Sequence, residues 1–146
     1  MAVLVSRYNE VVTTRLLEGA RQCLREQGVP DARVDVIWVP GAFELAVAAE
    51  AAAASGRYAA LVALGCVIRG ETPHFEYVAG EATRGLGNVA LAHRLPIGFG
   101  VLTTENLDQA LARAGGAAGN KGYEAAEAAL TTADVLAQLT RAAPRD

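Results

Sequence analysis

A histidine follows a short polar turn directly after an apolar run, between residues 65 and 78 of the chain. The run 61–68 has no polar alternation, which is typical of a strand buried on both faces of a parallel sheet. Thr72 can cap the following helix, and Pro73 suits its first position because proline lacks the amide hydrogen that would be unsatisfied there. Free amides and the positive end of the helix dipole favour a phosphate or oxyanion. His74, a titratable ring, would sit beside that anion.

Two other predicted strands end in residues that can bind a ligand. Tyr8 and Asn9 offer an aromatic face and an amide, and residues 41–44 offer close backbone approach and the carboxylate of Glu44. Ligands of parallel α/β sheets bind beyond the carboxyl ends of the strands. We therefore expect these turns to meet residues 71–74 in one site.

Each of these residues also has a structural explanation. An aromatic residue at a strand end commonly covers the core, and a carboxylate such as Glu44 near a helix start is favoured by the helix dipole. His74 in a first helical turn is ordinarily a surface residue. Their convergence at one edge of the sheet is the feature that indicates function.

One pattern, an apolar strand followed by a polar turn and a helix, occurs four times. The predicted strands are 2–6, 34–39, 61–68 and 97–102. Five helices are predicted. The first ends near 26, the second runs from 43 to about 55, the third ends near 94 and the fourth runs from 106 to 114. The last follows a glycine-rich bend at 115–119 and ends near 141. Right-handed crossovers place such helices on both faces of a sheet. The sequence predicts one α/β domain over 1–146, a three-layer αβα sandwich with a four-stranded parallel sheet and a frayed end at 142–146.

Charge and composition exclude several classes. The net charge is −3 without a basic run, which argues against nucleic acid as a partner because phosphate backbones require clustered Lys and Arg. The longest uncharged segment, 58–68, is far shorter than the ~20 residues of a membrane helix. No secretory signal pattern follows Met1, so a cytoplasmic protein is expected. Cys23 and Cys66 lack disulfide or metal-ligand spacing and are interpreted as packing residues.

The glycine patterns do not match nucleotide-binding loops. Neither G-x-G-x-x-G nor G-x-x-x-x-G-K-[ST] follows the first strand, and no G-x-S-x-G nucleophile turn occurs. The pairs at 85–87 and 98–100 fall inside a predicted helix and a predicted strand. The chemistry must therefore rely on proton transfer, orientation and anion binding.

Five sequence blocks, in order and at suitable spacing, resemble the lumazine synthase family of the riboflavin pathway. The blocks are 7–9 with 16–20, 39–44, 65–70 with 74–78, 99–106, and 113–115 leading to 119–122. The resemblance fits the predicted sandwich, which is flavodoxin-like. It implies condensation of 5-amino-6-(D-ribitylamino)uracil with 3,4-dihydroxy-2-butanone 4-phosphate to 6,7-dimethyl-8-ribityllumazine, releasing phosphate and water, with neither cofactor nor metal.

The resemblance also implies roles for individual residues. Those implied to contact the pyrimidine or its ribityl chain are Tyr8, Asn9, Ala42, Phe43, Glu44, Val67 and Ile68. Those implied to bind the phosphate are Glu71, Thr72 and Arg113, with His74 as the proton-transfer group. In the family, Phe99, Arg113 and Lys121 complete the site from a neighbouring subunit.

Three positions depart from the family pattern. Tyr8 stands where phenylalanine is more usual, which keeps the stacking face and adds a hydroxyl. Gly98 replaces a larger aliphatic residue, so we expect a looser pocket wall there. Ala117 stands where many relatives carry lysine, which removes a positive charge near the phosphate.

The resemblance and the composition both favour a homo-oligomer that acts on small-molecule substrates. A 52% hydrophobic chain with alanine-rich helices suggests more buried surface than one domain supplies, and head-to-tail contacts close into rings. A pentamer is expected, and a sixty-chain shell is a further candidate because 115–122 resembles the bend of shell-forming relatives. Riboflavin synthase is a candidate partner.

Two alternatives from other classes stay open on the sequence. A flavin-binding electron-transfer protein would share the sandwich and could use Tyr8 as a ring platform, and it would purify yellow. A catalytically inactive shell-forming scaffold would keep the assembly surface and would not turn over the two substrates.

Overall fold

A computed structural model of the chain describes residues 1–141. Its elements are, in chain order, β1 (Ala2–Ser6), α1 (Glu10–Glu26), β2 (Asp35–Val39), α2 (Leu45–Ala54), β3 (Leu61–Ile68), α3 (His74–His93), β4 (Ile97–Thr104), α4 (Leu107–Ala112), β5 (Ala114–Gly116), β6 (Gly119–Asn120) and α5 (Lys121–Arg141). The frayed end expected at 142–146 lies outside the described residues.

The main sheet of the described chain is parallel throughout and has the strand order β2-β1-β3-β4. Ala2 at the start of β1 is paired with Asp35 of β2 and with Leu61 of β3. Because the strands start in register, their carboxyl ends meet at one edge. The predicted α/β sandwich with a four-stranded parallel sheet is confirmed.

Alternate side chains of β1 enter two cores, one on each face of the sheet. Val3 and Val5 pack in a core shared with α1 and α5, whereas Ala2 and Leu4 pack in a core shared with α2 and α3. All four side chains are fully buried. The apolar runs of the sequence therefore reflect helices that cover both faces.

Glycines allow α5 to approach its neighbours closely. A Cβ atom on Gly98 of β4 would overlap the carbonyl oxygen of Ala125 in α5, and one on Gly122 of α5 would overlap that of Leu16 in α1. The looser pocket wall expected at Gly98 is therefore wrong. The missing side chain at this position makes room for the backbone of α5 rather than for substrate.

The region after β3 differs from the predicted bounds. β4 extends to Thr104, two residues beyond the predicted end. Asn106 lies before α4 rather than in it, because its side-chain oxygen accepts a hydrogen bond of 2.8 Å from the amide of Gln109 and caps the helix. The helix ends at Ala112, since Ala114 already pairs with Asn120 in a hairpin.

The glycine-rich bend contains an antiparallel hairpin formed by β5 and β6. Gly115 and Gly119 have φ values of 102° and 85°, which a side chain would strain. The sequence therefore predicted the turn residues correctly but not the pairing between them. No helix among residues 1–141 is long and apolar enough to cross a membrane.

Candidate active site

A pocket of about 740 Å³ lies at the carboxyl edge of the sheet. It has the size of a typical small-molecule site. The predicted site residues that line it are Tyr8, Ala42, Phe43, Glu44, Val67, Ile68, Thr72 and His74. The three turns selected from the sequence therefore meet in one cavity, as expected from the parallel sheet.

Backbone hydrogen bonds beyond β1 and β2 fix one side of the pocket. The amide of Arg7 donates to the carbonyl of Val39 at 2.8 Å, and that of Tyr8 donates to the carbonyl of Pro40 at 3.0 Å. The Tyr8 side chain is 73% exposed at the pocket wall, and Phe43 is also largely exposed. Two flat aromatic faces are thus available to a planar ligand.

The second helix starts later than predicted, because Ala42–Glu44 form a 3₁₀ turn before α2. The amide of Glu44 donates to the carbonyl of Gly41 at 3.2 Å, which closes this turn. A Cβ atom on Gly41 would lie 3.3 Å from Glu44 Oε1, so the carboxylate folds back over the turn. Glu44 therefore offers its oxygens at the pocket from a tightly held backbone.

Asn9 joins two strand ends beside the pocket but is outside its lining in the described chain. Its backbone is left-handed, with a φ of 62°, and its side-chain Nδ2 donates to the carbonyl of Cys66 at 2.9 Å. The amide nitrogen is therefore engaged with β3. The contact with the ribityl chain implied for Asn9 stays a prediction, and its side-chain oxygen is the atom that could make it.

The predicted cap of the third helix is wrong by one residue. Pro73 occupies the cap position, and His74 is the first residue of α3. Thr72 makes no capping hydrogen bond within residues 1–141, since the first turn is closed by the Glu76 amide donating to the Pro73 carbonyl at 3.0 Å. Thr72 and His74 both line the pocket, next to the positive end of the α3 dipole.

One face of α3 contributes lining residues that the sequence analysis missed. Tyr77, Val78 and Glu81 follow His74 at helical spacing and line the same pocket. This spacing was a usable signal. An ion pair with Arg84 lowers the pKa of Glu81, so this carboxyl is ionised at neutral pH.

The floor of the pocket includes Cys66, which the sequence suggested was a packing residue. The thiol is almost fully buried and takes part in the core as well as in the lining. Burial raises the pKa of Cys66 to about 11, so the thiol is neutral at physiological pH. Cys23 is a free, buried cysteine in the core and meets the packing expectation.

Besides Asn9, four of the predicted site residues lie outside this lining. Glu71 is exposed on the turn before α3, Phe99 is half-exposed on β4, Arg113 follows α4 and Lys121 begins α5. Within the described chain, the charged side chains in the lining are those of Glu44 and Glu81, with His74 as a titratable group. The lining therefore offers a phosphate the start of α3 but no Lys or Arg side chain from the described chain.

The residues described offer no ready metal site. Among residues 1–141, no three His, Cys, Asp or Glu side chains group as metal ligands.

A comparison with known protein families decides the assignment. The model of the family described as 6,7-dimethyl-8-ribityllumazine synthase matches residues 1–137 of the 146-residue chain. The chain belongs to this family. It is a transferase of riboflavin biosynthesis that condenses the ribitylaminouracil with the butanone phosphate to form 6,7-dimethyl-8-ribityllumazine. Family membership also implies small-molecule substrates and a homo-oligomer.

Proposed function

We propose that the lumazine forms in the pocket at the carboxyl edge of the sheet and that two subunits build each site. The observation that carries this proposal is the charge of the pocket. Its lining holds the carboxylate of Glu44 and that of Glu81, which is paired with Arg84, and it includes no Lys or Arg side chain in the described chain, although one of the two substrates carries a phosphate. The missing positive charge is supplied by Arg113 and Lys121 of a neighbouring copy, which presents Phe99 at the same junction.

The pyrimidine lies at the end of the pocket formed by β1, β2 and β3. Tyr8 and Phe43 provide flat faces for stacking, a geometry that favours planar rings. Val67 and Ile68 line the ring edge, and the backbone of Ala42 and Phe43 assists. Glu44 accepts hydrogen bonds from ribityl hydroxyls, as does the side-chain oxygen of Asn9.

The phosphate lies at the other end, over the first turn of α3. Amides at a helix start and the positive end of the dipole stabilise an anion there. Glu71 contributes its backbone amide and Thr72 its hydroxyl. Arg113 of the neighbouring copy completes the cradle, since its planar fork of donors matches phosphate oxygens.

The reaction then needs orientation and proton transfer at neutral pH. An amine on the pyrimidine attacks the ketone carbonyl, and loss of water gives an imine. The imine eliminates phosphate, and the enol left behind tautomerises to a new carbonyl. The ribityl-bearing amine nitrogen of the pyrimidine attacks that carbonyl, and loss of a second water closes the new ring. His74 lies where the phosphate leaves, so it accepts and returns the protons of these steps. Alignment of the two substrates in one cavity supplies the remaining acceleration.

Exposed apolar side chains of the single chain support the proposed assembly. Val47 of α2 is 69% exposed and Leu91 of α3 is 82% exposed, and both belong to the same side of the sheet. A head-to-tail contact that covers them closes into a ring. We propose a cyclic pentamer in the cytoplasm, with a sixty-chain shell and an association with riboflavin synthase as further steps. Sedimentation and electron microscopy of the purified protein distinguish the pentamer from the shell.

The assay of choice supplies both substrates to purified protein and follows lumazine absorbance. Product formation that depends on both substrates supports the proposal. A yellow protein with bound flavin and no turnover would favour electron transfer, and a colourless protein with no turnover would favour an inactive scaffold. In each of those two cases, the proposed use of the pocket would be wrong.

A further inference from the structure

Arg69, the first residue after β3, contacts side chains from two other parts of the fold. Its Nε lies 2.9 Å from Oε2 of Glu105, which directly follows β4. Its Nη1 lies 3.8 Å from Oε1 of Glu76 in the first turn of α3. Its Cζ lies 4.6 Å from the ring centroid of Phe75, the residue after His74. One guanidinium therefore joins the end of β4 to the start of α3.

The anchor of this connection is fixed by the sheet. The amide of Arg69 donates to the carbonyl of Thr104 at 2.8 Å, which continues the pairing of β3 and β4 beyond the last strand residue. The other end of the connection is the first turn of α3, and that turn has no side-chain cap within residues 1–141. Arg69 thus ties this uncapped turn to the sheet through its side-chain contacts with Phe75 and Glu76.

Arg69 is poorly placed to bind substrate itself. It is outside the pocket lining in the described chain, whereas its stacking partner Phe75 is part of that lining. Two carboxylates, Glu76 and Glu105, share its single positive charge. The charge is therefore neutralised locally rather than presented to an anion.

We propose that Arg69 is a positioning residue for His74. It fixes the first turn of α3 through Phe75 and Glu76, so that the imidazole is held at the reacting atoms. This inference rests on the proposed role of His74 in proton transfer. A displacement of a catalytic group by about 1 Å can reduce a rate by about 10²-fold. The contacts of Arg69 are partly exposed to solvent, which weakens its hold on the first turn of α3. We therefore expect a loss of about 10-fold.

The first test separates turnover from binding. Arg69→Gln should lower kcat by about 10-fold and leave the Kd values for inorganic phosphate and for a pyrimidine analogue within about 2-fold. Arg69→Lys keeps the charge but loses the planar fork, so it should lower kcat by a similar factor. Glu105→Gln should lower kcat less and in the same direction. The proposal would be overturned if Arg69→Lys had wild-type kcat and Arg69→Gln bound phosphate more weakly. Those two results together would make Arg69 a phosphate ligand.

The second test asks whether Arg69 acts through His74. In a His74→Ala background, Arg69→Gln should cost little further activity, because the group that it positions is absent. Equal losses in both backgrounds would mean a general structural role and would overturn the inference. If His74→Ala had wild-type turnover, the proposed function itself would be overturned. If His74→Ala were impaired but Arg69→Gln were not, only this inference would be overturned.

Arg25 offers a matched control. Its Nε and Nη2 lie 2.9 Å from the two carboxylate oxygens of Asp31, which precedes β2 and lies away from the carboxyl edge. Arg25→Gln removes an ion pair of the same chemistry and should leave kcat unchanged. If Arg69→Gln does not fold, Arg69→Lys and Glu105→Gln carry the test, and wild-type kcat in both would overturn the proposal.

Discussion

The backbone amide of Lys121 donates a hydrogen bond of 2.8 Å to the carbonyl oxygen of Arg113. This bond joins the two ends of the β5-β6 hairpin, so the two cationic residues are held together on one short element. Asn120 fastens that element to α1, since its Nδ2 donates to the carbonyl of Arg15 at 3.1 Å. Arg113 and Lys121 lie outside the lining of the pocket in the same chain. A pair held in this way suits presentation to another subunit.

His74→Ala should slow turnover more than it weakens binding. General acid–base groups contribute about 10²–10⁴-fold, and we expect the lower end because orientation of the two substrates does much of the work. Single-turnover rates at saturating substrate provide the measurement. A rate equal to that of the unchanged enzyme would remove His74 from the mechanism.

Glu44→Ala and Arg113→Ala should affect different substrates. Loss of a charge-assisted phosphate contact costs on the order of 1.5–3 kcal/mol, so Arg113→Ala should weaken phosphate binding and leave a pyrimidine analogue nearly unaffected. Glu44→Ala should do the reverse. Calorimetric titration of each variant with inorganic phosphate and with the analogue checks the separation. Equal losses for both ligands in both variants would contradict the assignment.

Alkylation of Cys66 should depend steeply on pH. Burial raises its pKa to about 11, and the thiolate is the reactive form. In a Cys23→Ala background, the rate of iodoacetamide labelling should therefore rise about tenfold per pH unit from pH 8 to beyond pH 10. The urea-unfolded chain is the control, and its labelling rate should level off as the pH passes the ordinary pKa of a thiol. A native rate that levels off near pH 9 would show that the pocket floor is open to water.

Gly122→Ala should destabilise the fold through steric overlap. Its Cβ atom would meet the backbone of Leu16, which cannot rotate away, so we expect a loss of at least about 1–3 kcal/mol. Gly87 of α3 is the matched control, because a Cβ atom there meets no described atom within 4 Å. Gly87→Ala should be neutral or more stable by up to about 1 kcal/mol. The melting temperature should therefore fall in Gly122→Ala and stay the same or rise in Gly87→Ala.

The sequence predicted well those elements that depend on local patterns. The bounds of β1 and β3 match the prediction, because continuous apolar runs between polar turns leave little choice of length. The convergence of Tyr8, Glu44 and His74 was also predictable, since a parallel sheet brings its carboxyl strand ends to one edge.

Features that depend on tertiary contacts were not predictable in the same way. The hairpin at 114–120 is held against α1 by Asn120, which contacts Arg15, a residue far from it in the chain. Gly98 looked like a gap in the pocket because its neighbour in space, Ala125, lies 27 positions away by sequence number. The cap lies at Pro73, one residue after the predicted Thr72, since no side-chain hydrogen bond caps this turn within residues 1–141.

Co-expression of two inactive variants tests the shared site most directly. In a mixed ring of Glu44→Ala and Arg113→Ala chains, a junction is intact when one subunit supplies Glu44 and its neighbour supplies Arg113. These two conditions are independent, so random assembly leaves about a quarter of the junctions intact. The mixture should therefore recover about a quarter of wild-type activity, although each variant alone is nearly inactive. Mixed rings that recover no activity would show that Glu44 and Arg113 act within one subunit, and the shared site would be wrong.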